Sequence, residues 1–569
     1  MGLEEASMKI TNQILTGYDN TKLLHYEDVP LTFPNTVSYE DLPNHEVNGV
    51  LKANRYIDGR LVQTYSELEN HVGVIAATRL GKTTEYVIPT ILSFAKQKKK
   101  KRMFISDPKG ELYKITSETL RKEGYNVKLF NFRDYQHSEY WNPLTPIYRM
   151  YQKAYNLEDE VELVETDHGI RNRFRGTIYE SQKLLDEIID RTRAILIAEV
   201  ENEIDKIAAI TISTKKGDDP YWEDSARILL TAIIWGMLED SHLENEEEVI
   251  TEERFSFSTA LTIMDSMRDG SGARYNDSGY FTSRGPTSRA LKLAKNCILE
   301  NAQSTRKCIV SSFNTKMSIY KSSAIRLITS CNSFEMEELI DEDKPIAVFI
   351  AYRDEVKAHY QVISTLVQSA YTLLIEHANQ KSSGKLDVPF YFILDEFGNF
   401  PKISDFETVV SACAGRNIWF ILILQSYAQL NNVYGHHIAE IIRDNLNLHV
   451  FIGSNNPGTL EEFSKECGLT TRISPLCALN GSKEEIDNYQ IETIPLMPKS
   501  ILANLKVGEC IVTEANCGYV FFSKLERYYQ CKELNELPQA DDKEYRVNLN
   551  PLSPQYTYVR DVKKNEWDD

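Results

Sequence analysis

Three stretches carry residues whose types and spacing imply chemistry on a polyphosphate. The first is AATRLGKTT, residues 76–84, which follows the apolar run HVGVIAA and opens a helical pattern, TTEYVIPTILSFAKQ. A phosphate-cradling loop needs backbone N–H groups aimed at the anion, and Gly81 permits that close approach. Lys82 reaches the terminal phosphates, Thr83 offers a hydroxyl to Mg2+, and the start of the helix adds its positive dipole. Thr78, Arg79, Leu80 and Thr84 complete the candidate nucleotide loop. The pattern G-x-x-x-x-G-K-[ST] is one residue short, because Ala76 stands at its first glycine.

The second stretch, PFYFILDEFGNF, is an apolar run ending in Asp395 and Glu396. Two carboxylates at the end of a buried strand are costly unless they serve a cation or a reaction. Asp395 is the candidate metal ligand and Glu396 the candidate base that polarises the attacking water; the plainer role for Asp395 is a helix N-cap. The third, GRNIWFILILQSYAQL, ends its strand pattern at Gln425, whose amide suits sensing of the γ-phosphate. Arg416, before that strand, is a candidate finger for a neighbouring subunit's nucleotide, with Arg443 in reserve; either is equally read as a solvated surface arginine.

These groups need a scaffold that brings strand ends together. From residue 71, short apolar runs alternate with helical segments: HVGVIAA, RMFISD and VKLFNF, then PIAVFIAY, PFYFILDE, IWFILILQ and LHVFIGS. That βαβ punctuation predicts an α/β protein with a mostly parallel sheet covered by helices, and the phosphate loop with the strand-end acids makes the expected core that of a P-loop NTPase (RecA-like). Residues 146–340, rich in Glu and Asp and helical by period, read as an inserted all-α domain. The expected organisation is an N-terminal arm with edge strands (1–70), the nucleotide-binding domain in two parts (71–145 and 341–534) and a polar, disordered tail (535–569).

The formal charge of −19 argues against indiscriminate nucleic-acid binding, so any contact with DNA falls to local basic loops or an assembled pore. The run KQKKKKR (96–102) reads as a solvated loop. The cysteines, at 297, 308, 331, 413, 467, 477, 510, 517 and 531, form no C-x-x-C pair and read as reduced, mostly buried thiols. No stretch approaches the roughly 18 apolar residues of a membrane span, and the N-terminus lacks a signal-peptide pattern. The expectation is a cytoplasmic protein.

Together these motifs resemble the coupling-protein ATPases of type IV secretion and bacterial conjugation. The resemblance rests on ISDPKGELY and the later WNPL, on DDPYWEDSARILLTAIIW and STRKCIVSSFNTKMSIY, and on LDEFGNF, GRN, LQSYAQLNNVYG, IIRDNLNLHVFIGSNN and LMPKSILANLKVGECIVTEANCGYVFFSKLERYYQ, over about residues 70 to 530. It implies ATP and Mg2+ at Lys82, Thr83, Asp395 and Glu396, phosphate sensing at Gln425 and a trans finger at Arg416. It further implies a hexameric ring around single-stranded DNA, monomeric when isolated. The implied partners are a relaxase and relaxosome accessory proteins, channel ATPases and inner-membrane components at the cytoplasmic face of the membrane. Two departures are Ala76 and the absence of the membrane helices most members carry. A double-stranded DNA pump of the segregation type is the alternative motor, though the tail lacks a winged-helix pattern. A non-motor nucleotide-binding substrate adaptor is the alternative of a different class.

Overall fold

The apolar runs named above are strands of one sheet. The computed structural model describes residues 22–30, 33–166, 169–212, 220–242, 249–267, 279–475 and 489–547. Ten strands hydrogen-bond side by side: β1 Lys22–His25, β2 Val72–Ala76, β3 Arg102–Asp107, β4 Asn126–Asn131, β5 Ile346–Ala351, β6 Phe390–Leu394, β7 Ile418–Leu424, β8 Leu448–Gly453, β9 Glu509–Glu514 and β10 Tyr519–Lys524. Their order is β1-β10-β9-β8-β2-β7-β6-β3-β5-β4. Every neighbouring pair from β8 to β4 is parallel. β9 runs against β8 and β10, so β10 points the same way as β2. Strands β2, β3, β5, β6 and β8 are buried at every residue, which is why they read as unbroken apolar runs without alternation.

Open parallel sheets present their sites at the carboxyl ends of the strands. The loop after β2, Asp395 after β6 and Gln425 after β7 therefore emerge on one edge, with β7 between β2 and β6. A buried imidazole ties β2 to β7 at the other end. His71 Nδ1 accepts the Phe420 N–H at 3.0 Å, so Nε2 carries the proton and donates to the Val410 carbonyl at 3.0 Å. Burial lowers its pKa to about 4, which keeps the ring neutral and this tautomer in place.

The chain divides into two compact units, one of residues up to 133 with 337–357 and 371–545, the other of 134–336 and 358–370. In the first, the N-terminal arm is more regular than its prolines imply. It supplies edge strand β1 and a separate three-stranded antiparallel sheet of Thr36–Ser38, Leu51–Ile57 and Arg60–Tyr65. Asp58 and Gly59, with φ of +50° and +75°, form the two-residue turn of its hairpin. The basic run is a solvated loop only in part: Lys98 and Lys99 are exposed at a bend, but the run's last two cations are not. Lys101 is buried against Glu69 at 2.8 Å and lies over the Phe94 ring, and Arg102 is fully buried, donating to the carbonyls of Leu339 at 2.8 Å and Val388 at 3.0 Å. Strand β3 begins inside that run, so its last two cations must be buried and are neutralised by carboxylate and carbonyl oxygens. The expected disordered tail is also displaced. The Ala540 N–H donates to the Lys114 carbonyl at 2.8 Å and the Tyr545 ring meets Tyr113 edge-on, so residues 535–545 pack on this unit; residues 548–569 lie outside the described residues.

The second unit is mostly helical, with Gln182–Thr211 and the deeply buried Pro220–Glu239 as its long elements. It is not all-α. Val161–Thr166, Gly169–Phe174 and Thr177–Tyr179 form a three-stranded antiparallel sheet, whose second turn is Arg175-Gly176 with φ of +49° and +81°. The signal for it was in the sequence, an R-G pair between short alternating runs.

Among the described residues no helix is long and apolar enough to cross a membrane, and five of eight free cysteines are buried. Cys477 lies outside the described residues.

Candidate nucleotide site

The loop that follows β2 is held at both ends. Ala76 is wholly buried in the core, so the methyl that replaces the expected glycine packs inward. The Ala77 N–H donates to the Gly453 carbonyl at 2.9 Å, at an irregularity in the β2–β8 register. Residues 78–80 are exposed, and the chain turns through positive φ at Arg79 (+69°) and Gly81 (+92°). At Gly81 a Cβ would lie 2.4 Å from Glu85 Oε1, so the tight turn admits glycine for a steric as well as a conformational reason.

The helix beyond begins with a wide turn. Lys82–Val87 is π-helical, with the Ile88 N–H reaching the Thr83 carbonyl, before α1 (Ile88–Lys96) continues as ordinary α-helix. Pro89 has no N–H to give the Glu85 carbonyl, which removes the α-type bond at that point. Bulges of this kind concentrate at functional sites.

Lys82, Asp395 and Glu396 meet where these elements converge, each less than a tenth exposed. Lys82 Nζ is ion-paired with Glu396 and lies 3.6 Å from Asp395 Oδ1. The other Glu396 oxygen accepts Gln425 Nε2 at 3.0 Å, and Gln425 Oε1 accepts the Thr78 hydroxyl at 3.2 Å. A continuous polar chain thus runs from the loop through the β7 tip to the β6 tip and back to the loop. Glu396 adopts a left-handed backbone, φ +53°, which costs a non-glycine residue about 1 kcal/mol. Asp395 does not cap the short turn Phe397–Asn399; its Oδ1 accepts the Glu396 N–H at 2.9 Å and its side chain faces Lys82.

The two carboxyls are driven apart electrostatically. Burial raises the Asp395 pKa, with Lys82 opposing and Glu396 adding to the rise. Burial pushes Glu396 the same way, but Lys82 and Gln425 outweigh it and hold it below the usual range. A third carboxyl, to which the sequence reading gave no role, is Asp107 at the tip of β3. Burial raises its pKa to about 7 despite the Tyr113 N–H bonding Oδ2 at 2.9 Å, and Asp395 adds to the rise. Lys109 also acts on the pair from the DPKGE segment, favouring the charged forms of both Asp395 and Glu396.

A carboxyl whose folded pKa lies above its unfolded value contributes stability at low pH that is lost as pH rises through the folded value. Asp107→Asn is therefore expected to melt higher than the parent chain at pH 8, with the gap shrinking steadily as pH falls from 7 toward 5. Melting curves across that range check it; a gap independent of pH would contradict it.

The donor set fits a magnesium nucleotide. Gly81 leaves the cradle open, Lys82 is a buried amine beside the loop, and Thr83 with Asp395 offers hard oxygens. Among the described residues no cluster of three His, Cys, Asp or Glu is placed to hold a metal ion. The structure does not bring Arg416 to this site. It precedes β7, roughly 23 Å of strand from Gln425, and its guanidinium is held by Asn379 Oδ1 at 2.8 Å and the Ala412 carbonyl at 2.7 Å. Arg443 is ion-paired with Glu462 and lies over the Tyr427 ring.

Comparison with known proteins gives this geometry a family. The model of the family described as "Type IV secretory system Conjugative DNA transfer" matches residues 40–534. Conjugal transfer protein TraG of Escherichia coli is 23% identical over 435 residues, covering 75% of this chain and 59% of TraG. VirD4 of Rhizobium radiobacter is 23% identical over 400 residues, covering 70% of this chain and 48% of VirD4. The chain thus spans about half to three-fifths of the length of these relatives. Among solved structures, the plasmid coupling protein TrwB in complex with ADP and Mg2+ superposes with a TM-score of 0.55 at 15% identity, over 88% of this chain and 95% of that one, which establishes the shared fold. With the match running through the strands that carry Lys82, Asp395 and Gln425, the chain belongs to the type IV secretory system conjugative DNA transfer family.

Proposed function

We propose that this chain is an ATP-hydrolysing coupling protein that brings a DNA–relaxase substrate to a type IV secretion channel and drives single-stranded DNA transfer. The observation that carries the enzymatic part is the chain Thr78–Gln425–Glu396–Lys82 at one sheet edge. It joins a phosphate-binding amine, a carboxylate kept ionised and an amide able to report on the γ-phosphate. TrwB, which shares the fold, is described in complex with ADP and Mg2+.

In this mechanism Mg2+, when bound, neutralises developing charge on the phosphate oxygens. Lys82 exchanges its carboxylate partners for phosphate. Glu396, released from Lys82 but still bonded to Gln425, is free to orient and polarise a water. Gln425 links that event to the loop through Thr78 and to the helix Tyr427–Tyr434 through Gln429, whose Oε1 accepts the Gln425 N–H at 3.0 Å. Arg416 is too far from Gln425 along β7 to serve its own site, so its role as a finger requires a neighbouring subunit, which favours a ring closed around nucleotide. The charge of −19 favours DNA contact confined to the lining of such a ring, a hexamer, assembled at the cytoplasmic face of the membrane by channel and inner-membrane partners.

Steady-state ATP hydrolysis against protein concentration, with and without single-stranded DNA, tests this reading. Turnover is expected to rise cooperatively with concentration and with DNA, and Arg416→Ala is expected to bind ATP normally but lose turnover. Normal hydrolysis by Arg416→Ala at high protein concentration would remove the finger, and nucleotide binding without any turnover would leave an adaptor in place of a motor.

A further inference from the structure

Arg527, Tyr528 and Tyr529 take no part in the chemistry above, yet they stand at the same edge of the sheet. β10 points the same way as β2, so the segment leaving its end at Lys524 emerges on the side of the phosphate loop. The strand order puts that segment on the opposite flank of the loop from Asp395 and Glu396, three strand spacings from β2, or roughly 14 Å. A nucleotide whose terminal phosphate meets Lys82 and Glu396 reaches this flank if its sugar and base extend away from the β6 tip.

The segment is fixed by a buried contact. Glu85, 1% exposed in the first turn after the loop, accepts Arg527 Nε on Oε1 at 2.8 Å. Its other oxygen is buried without a hydrogen-bond partner. Arg527 also donates to the Tyr529 hydroxyl at 2.8 Å, and its guanidinium lies 5.9 Å from that ring's centroid. The turn Tyr528–Gln530 packs on the Lys82–Val87 turn, and the Tyr528 and Tyr529 rings meet edge-on at 5.5 Å. Tyr529 nonetheless keeps 41% of its surface in water. An aromatic ring fixed in orientation and left exposed beside a phosphate loop is a preformed stacking surface, which costs little ordering entropy on binding.

We propose that Tyr529, oriented by Arg527 and Glu85, is the surface on which the purine base of the bound nucleotide stacks. This rests on the phosphate-loop reading, so its test must separate base from phosphate. Isothermal titration of the full chain with magnesium ATP and with magnesium tripolyphosphate does so. The parent chain should bind ATP more tightly than tripolyphosphate. Tyr529→Ala should weaken ATP binding roughly tenfold and leave tripolyphosphate unchanged, while Tyr529→Phe, which keeps the ring, should retain most of the ATP affinity. Equal affinity of the parent for both ligands overturns the base assignment. So does a Tyr529→Ala chain that loses both ligands alike or neither, or a Tyr529→Phe chain that loses as much as Tyr529→Ala. A parent chain that binds neither ligand overturns the phosphate-loop reading itself.

Discussion

Replacing Lys82 by alanine is expected to abolish nucleotide binding and, separately, to destabilise the folded chain. Loss of charge-assisted contacts to phosphate should weaken ATP by at least about a hundredfold. The stability effect comes from the company Lys82 keeps. Its amine is the cation paired with Glu396 and near Asp395, with Asp107 on the adjoining strand tip, all buried. Breaking a buried pair by deleting one partner typically costs about 3–5 kcal/mol, because a charge is left uncompensated. Without the amine, the carboxyl pKa values rise, so the penalty is largest where they must stay ionised. The melting temperature of Lys82→Ala should fall well below the parent at pH 8 and approach it as pH drops toward 5. A variant that loses nucleotide but melts like the parent at every pH would mean that the carboxyls are neutralised by other groups.

Much of this site was legible because parallel strands are buried on both faces. Such strands read as unbroken apolar runs, and a charged or amide residue that ends one stands out, as Asp395 and Gln425 do. What the sequence could not supply was lateral order. That Gln425 lies between the loop and Asp395, and that Asp107 adds a third carboxyl, follows from strand neighbours far apart in the chain. Glu85 and Arg527 are 442 residues apart, and no local pattern announces them. Where the fold departs from the sequence pattern, the causes are local. Clustered charge such as KQKKKKR usually faces solvent, but a strand starting at its end forces Lys101 and Arg102 inside. The Arg175-Gly176 hairpin lies inside a segment whose helical period dominates over a longer window and masks it.

Glu396→Gln separates binding from hydrolysis, because this carboxylate has two roles that oppose each other. In the described conformation it holds Lys82, and a phosphate must displace it to gain that amine. Glutamine keeps the side-chain length and the hydrogen bond to Gln425 but removes the charge that competes for Lys82. ATP affinity should therefore stay level or rise. Turnover should fall by about 10²- to 10⁴-fold, the usual contribution of a group that polarises the attacking water. The left-handed backbone at 396 is no more strained with glutamine than with glutamate, so the melting temperature is expected to report the lost ion pair alone. Single-turnover hydrolysis beside equilibrium ATP binding is the measurement. Retained turnover would transfer the water-activating role to another carboxyl, and Asp107, poised near neutrality beside Asp395, is the group to replace next. Turnover and affinity lost together would mean instead that Glu396 builds the loop rather than acting on what the loop holds.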